Sequence, residues 1–276
     1  MIEKYYDGAI EQVAAGLGTV EKNHLLVRYS GQFSVENLND TKQLEKNEDI
    51  FVQVHEFETG EITCAYEPYL TMICDGFRRY MTGTFEEFME TCDVYYLHRP
   101  VLLGYFNQDN TGREEIILLD EVAYEQERML AALERMLCAI ADRHPVLFVL
   151  NRFQLASKST MQLTARFLKC ENCNIGLVLG VSDVQAMPEF LVPDWEMLYE
   201  TLDDGSKIYH IGNSGRKKEE TIDDEKYVDY GSEKVYRKLQ NMVEFLDFDQ
   251  AAYYLETIER KIKFDNLLVD DAARFR

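Results

Sequence analysis

Two stretches of this chain are apolar without alternation: Val-Leu-Phe-Val-Leu at residues 146–150 and Asn-Ile-Gly-Leu-Val-Leu-Gly-Val at 174–181. Side chains of a strand point to opposite faces in turn, so a strand with one face in water alternates polar and apolar residues. A strand without a polar face needs cover on both sides, which is the condition of a parallel sheet layered with helices. Segments of helical period lie between the apolar runs. Met129, Leu133, Met136, Leu137 and Ile140 recur at intervals of three and four within 121–142, and Pro145 stops that helix just before the first run.

Further elements follow the same alternation. Helices are expected at 5–15, closed by Gly16 and Gly18; at 66–80, with Leu70, Ile73, Cys74 and Phe77 on one face; and at 85–92. Two more are expected at 160–169, behind Ser157 or Ser159 as N-cap, and at 194–202. Strands are expected at 24–31, 50–55 and 207–212. The order predicts an α/β fold, with a mostly parallel sheet sandwiched by helices over residues 1–212. Residues 213–231 are charged and turn-rich, a linker or exposed excursion in which Arg216-Lys217-Lys218 is answered at once by two glutamates. In 232–276, Val235, Leu239, Met242 and Leu246 form one stripe, and Ala251, Leu255, Ile258 and Ile262 another. The short Leu-Asp-Phe-Asp-Gln connection makes them a helical hairpin, read as the start of an all-α, repeat-like region that continues in a longer protein.

Charge narrows the partners. Fifty acidic against 29 basic residues give a formal charge of −21, a field that repels phosphodiester backbones. No apolar run approaches the roughly 20 residues that span a bilayer, and Met1–Gln12 lacks the form of a signal peptide. A cytoplasmic protein is expected, without membrane or direct nucleic-acid contacts. The six cysteines are expected as reduced, mostly buried thiols. Cys170 and Cys173 have ligand-like spacing, but no second pair accompanies them, and no metal is expected.

Ile116-Ile117-Leu118-Leu119-Asp120-Glu121 has the letters of a Walker B strand, in which an acid ends a central strand beside a phosphate loop. Asp120 and Glu121 instead stand at the start of the 121–142 helix, where acidic groups favour the positive helix end and can cap it. Of the histidines, His24 and His144 precede strands and His55-Glu56 lacks the second histidine of a zincin helix. No Gly-x-Ser-x-Gly occurs to give His98 or His210 a nucleophile to serve. Glu56, Glu58, Glu61 and Glu67 read as a solvated acidic face.

The stretch from Pro145 to Leu168 carries a resemblance. Its apolar strand, then Gln154, Ala156, Ser159, Thr160 and Leu163, is similar to the second-acid strand and following helix of the STAND branch of AAA-like P-loop ATPases. The likeness extends over roughly residues 1–212 and rests on pattern. Three positions depart from it. Asn151 and Arg152 stand where the family has acidic residues, and Asn cannot act as a carboxylate toward magnesium-bound water. After the first strand, Gly31 could be the first glycine of a phosphate loop, but Glu36 would repel phosphate and no lysine follows in the 29–38 turn. Ser182-Asp183 occupies the place of a polar or cationic sensor.

The resemblance implies a degenerate P-loop-like domain followed by a TPR-like helical region, a regulatory or protein-interaction module of a larger bacterial signalling protein. Its partners would be proteins or other domains of the same longer chain. No catalytic residue and no cofactor are expected. The alternative is a switch that binds ATP, ADP or GTP without efficient hydrolysis, with contacts from Gly31, Asn37, Asn151, Arg152 and Ser182.

Overall fold

The computed structural model describes residues 2–18, 24–29, 49–58, 61–109, 121–170, 173–182, 187–203, 207–211 and 233–264. Along the chain run α1 (Ile2–Gly16), β1 (Leu25–Tyr29), β2 (Phe51–Glu56), α2 (Tyr69–Tyr80), α3 (Phe85–Thr91), α4 (Arg99–Asn107) and α5 (Val122–Ala141). Then follow β3 (Val146–Asn151), α6 (Lys158–Lys169), β4 (Ile175–Ser182), α7 (Val192–Asp203), β5 (Lys207–Ile211), α8 (Glu233–Glu244) and α9 (Phe248–Phe264). The fold is α/β. Its strands form one sheet in the order β2-β3-β4-β1-β5, and every pair is parallel.

Both uninterrupted apolar runs are inner strands, buried along their whole length. Alternate residues divide the sheet between two cores. Val146, Phe148 and Leu150 face α2, α5, α6 and α7, whereas Leu147 and Val149 join Tyr6, Ala9, Ile10 and Val13 of α1 on the other side. Two glycines of β4 let α1 lie close. A Cβ at Gly176 would stand 2.5 Å from Val13 Cγ1, and one at Gly180 would press on the Tyr6 hydroxyl.

Local signals set some helix ends. Thr84 and Glu87 form a capping box at α3, with Thr84 Oγ1 accepting from Glu87 N at 3.2 Å and Thr84 N donating to Glu87 Oε2 at 2.8 Å. Ser157 Oγ accepts from Thr160 N at the start of α6, a contact worth about 1 kcal/mol. Glu121 holds the N-cap of α5 but makes no side-chain cap bond, so its expected capping role is corrected; Asp120 lies outside the described residues. Helix α4 was not anticipated. Its sequence, Arg-Pro-Val-Leu-Leu-Gly-Tyr-Phe-Asn, mixes Pro and Gly into nine residues, and only the proline in its first turn marks a helix start.

The thiols also depart from expectation. Cys138 and Cys173 form a disulfide, while Cys64, Cys74, Cys92 and Cys170 are free. Cys138 lies in the last turns of α5, which packs along α6 so that its end meets the loop before β4. That meeting is invisible in the Cys170-x-x-Cys173 spacing. Among the described residues no helix is long and apolar enough to cross a membrane.

The hairpin α8–α9 is docked on the sheet domain through the segments that leave β2 and β3. Val235, Leu239, Met242, Ala251 and Ile258 close over Ile62. Lys238 Nζ donates to the Ile62 carbonyl at 2.7 Å and pairs with Glu61, and Ala65 N donates to Asn241 Oδ1 at 3.1 Å. Between the two helices, Leu246 adopts a left-handed conformation (φ 66°) and turns Asp247 toward α6, where its Oδ2 accepts from Ser159 N at 3.1 Å. The first turn of a helix favours a negative charge there.

Burial pushes the Asp247 carboxyl above its ordinary value of 3.8, against the hydrogen bonds from Ser159 and Gln250 that hold it down. A carboxyl whose folded pKa is raised contributes most at pH below the unfolded value, and that contribution is lost as pH rises through the folded value. Asp247→Asn keeps an acceptor and removes the titration. The stability of the variant relative to the parent is therefore expected to rise with pH from about 4 upward. Urea midpoints at pH 4, 5, 6 and 7 check this, and parallel curves would refute it.

Candidate functional site

Strands β1 and β4 are neighbours, yet the chain leaves them in opposite directions. From β1 it runs to β2 at one edge of the sheet, and from β4 to β5 at the other. In an open parallel sheet, ligands bind beyond the carboxyl ends of the strands where connections diverge in this way. Register brings the relevant ends together. Tyr29 closes β1 opposite Ser182 of β4, and Asn151 closes β3 opposite Glu56 of β2.

Asn151 is the centre of this group and is fully buried. Its Oδ1 accepts a 2.7 Å hydrogen bond from the Tyr29 hydroxyl and a longer one, 3.5 Å, from the Tyr6 hydroxyl. The two tyrosine rings meet edge to face at 6.5 Å. Gly180 makes this possible, because a Cβ there would come within 2.5 Å of Asn151 Oδ1 as well as striking Tyr6. Burial, acting first, pushes the Tyr29 phenol up to about 12 against the opposing pull of Arg152 and Asn151; burial also raises Tyr6. Both phenols therefore stay protonated across the physiological range and serve as donors.

Around this centre the neighbouring ends are held by paired contacts. The Gln154 side chain clamps the last residue of β4, with Nε2 donating to Ser182 O at 3.2 Å and Oε1 accepting from Ser182 N at 3.4 Å. Arg152 sits in the left-handed region (φ 52°, ψ 42°), a conformation that costs a non-glycine residue about 1 kcal/mol or more, and leads into a 3-10 turn at Phe153–Leu155. Its guanidinium pairs with Glu56 at 3.2 Å. The arginine that follows Asn151 is thus balanced by a carboxylate from the neighbouring strand.

The structure brings Asn151, Arg152 and Ser182 to one end of the sheet, where Asn151 accepts from Tyr29 and Tyr6, Arg152 pairs with Glu56, and Gln154 holds Ser182. Gly31 and Asn37 lie outside the described residues, as does Asp183. Sequence reasoning did not single out Tyr6 and Glu56 as partners of that end, and it brought in Tyr29 only as the start of the turn after the first strand. Tyr29 is the last residue of a strand and Tyr6 lies on a core-facing stripe, but only the sheet order identifies their shared acceptor. No protein-family profile matches the sequence, and no curated protein is significantly similar to it.

The polar groups of the site are engaged with one another. An amide oxygen takes two phenol donors where a metal-binding carboxylate would need to be open to a cation and its waters. The nearby carboxylate, Glu56, is engaged by Arg152. What the network does hold is the start of the segment 151–159, which runs from the Asn151 centre to the Ser159 amide that Asp247 of the hairpin caps.

Proposed function

We propose that this chain is a non-catalytic regulatory module, a degenerate P-loop-like α/β domain whose strand-end network is coupled to a docked helical hairpin. The resemblance of 145–168 to STAND-type ATPases motivates the family part of this reading, together with the divergence of the chain at β1 and β4. One observation carries the functional part. The 151–159 segment is fixed at one end by Asn151, which spends its acceptor on Tyr29 and Tyr6, and at the other by Asp247 between α8 and α9. A change at the strand ends therefore reaches the hairpin through nine residues of chain. By the same resemblance, the module serves a larger bacterial signalling protein, with its partners among proteins or domains of that chain.

The placement of Asn151 and Ser182 beside the divergence point favours a second reading, a switch that binds ATP, ADP or GTP without hydrolysing it. A thermal-shift titration with each nucleotide, with and without magnesium, separates the two. A ligand that binds only the folded state stabilises it by mass action, by about 2.7 kcal/mol at a hundredfold excess over its dissociation constant, and so raises the melting temperature. The regulatory reading expects no shift at millimolar nucleotide. A saturable shift that Asn151→Ala abolishes, judged against that variant's own unliganded melting temperature, would replace it with the nucleotide switch.

A further inference from the structure

We propose that Cys138, Cys170 and Cys173 form a zinc site, three thiolates holding one Zn(II) with a fourth position open to solvent. The three sulfurs lie within 4.8 Å of one another and come from three separate places in the fold. Cys138 is in the last turn of α5, Cys170 is the C-cap of α6, and Cys173 stands two residues before β4. The Cys170 and Cys138 sulfurs are 3.9 Å apart, close to the separation of two thiolates on one zinc, since each Zn–S bond is about 2.3 Å and the angle between them near tetrahedral.

The other cysteines show what the ordinary use of the residue looks like in this protein. Cys74 and Cys92 are buried singly in the core, and burial pushes their thiols up to about 12 and about 11. The cluster is half-buried, and two helices point their C-terminal ends at it. Helix C-termini carry negative partial charge, so the site attracts a cation. Thiolate ligands select zinc and other soft metals over magnesium and calcium.

Three protein ligands leave the tetrahedral set incomplete, as in zinc sites that admit water or an external group. Cys170 borders a groove of about 550 Å³ between α5 and α6, flanked by Glu134, Gln162, Arg166 and Lys169, which gives the fourth position its access. The Cys138–Cys173 disulfide is the oxidised form of the same site. In forming it, two thiols give up two protons and two electrons to an external disulfide, which leaves as two thiols. The reverse exchange frees all three sulfurs for the metal.

The test uses the full chain, reduced with a phosphine and stripped of metal, and titrated with Co(II) as a spectroscopic probe and then with Zn(II). One equivalent of cobalt is expected to give sulfur-to-cobalt charge-transfer absorption and tetrahedral ligand-field bands, both removed by one equivalent of zinc. Cys138→Ser, Cys170→Ser and Cys173→Ser should each weaken zinc by more than the roughly 10–100-fold typical of changes outside the ligand set, with Cys64→Ser unchanged. Absence of the cobalt bands overturns the proposal, and so does unweakened zinc binding by Cys138→Ser, which would reduce the site to the Cys170/Cys173 pair. Should a variant fail to fold, alkylation of the reduced parent decides: zinc is expected to shield all three cysteines, and shielding of fewer overturns the assignment.

Discussion

Gly180→Val is expected to destabilise the protein by about 3 kcal/mol, the upper part of the range for overpacking a well-filled core. A Cβ at this position presses on the Tyr6 hydroxyl and comes 2.5 Å from Asn151 Oδ1, and neither group has room to retreat. Tyr6, on α1, is fully buried against the sheet, and Asn151 is fixed at the end of β3. The same geometry makes the effect conditional on Tyr6. Its hydroxyl is the first atom in the way, so Tyr6→Phe should offset part of the cost of Gly180→Ala, with a coupling of roughly 0.5–3 kcal/mol. Equilibrium urea unfolding of the two single variants and the double variant measures it. Strict additivity would mean that the two residues do not meet, and the Asn151 network would lose its basis.

The second large effect is expected at the hairpin. Phe245, buried at the turn between α8 and α9, sits between the rings of Tyr66 and Tyr105, with centroids 6.1 and 5.9 Å away. Phe245→Ala leaves a cavity between the two bodies and should cost about 3–5 kcal/mol, lowering the melting temperature by roughly 6–20 °C. Stability is not uniform across a structure, and the elements nearest the cavity open first. Hydrogen exchange should therefore accelerate across residues 233–264 more than across β3. A melting temperature within a degree of the parent would show that Phe245 does not anchor the hairpin, and with it the coupling through 151–159 would fail.

The parts of this fold that were legible in sequence are those with short-range causes. The buried strands at 146–151 and 175–182 followed from apolar runs, α5 from its stripe, and α6 from the Ser157 cap. The hairpin followed from two stripes and a short turn. Helix α4 was lost because Pro100 and Gly104 depress a propensity that packing of Val101 and Leu102 restores. The site was half legible. Asn151 and Ser182 could be placed at strand ends, because a strand's end follows from its length. Their partners could not. The hydroxyl of Tyr29 reaches Asn151 across 122 positions of chain, and that of Tyr6 across 145. No local pattern encodes such a meeting. The same holds for Cys138, which joins Cys170 and Cys173 only because α5 packs along α6, and for Asp247, whose role depends on where the hairpin lands.

The strand order also carries a consequence in time. Of the described strands β1 leaves the ribosome before the others, but its neighbours in the sheet are β4 and β5. At ordinary synthesis rates roughly 7–30 s pass before residues 175–182 exist to pair with residues 25–29. During that interval β2 and β3 can join and gather their helices, whereas β1 remains an apolar strand with both edges unpaired. Closing so long a connection is entropically costly and slow. Insertion of β1 between β4 and β5 is therefore expected to be the late step of folding. Until it occurs, the nascent chain carries an unprotected edge that invites pairing with another copy.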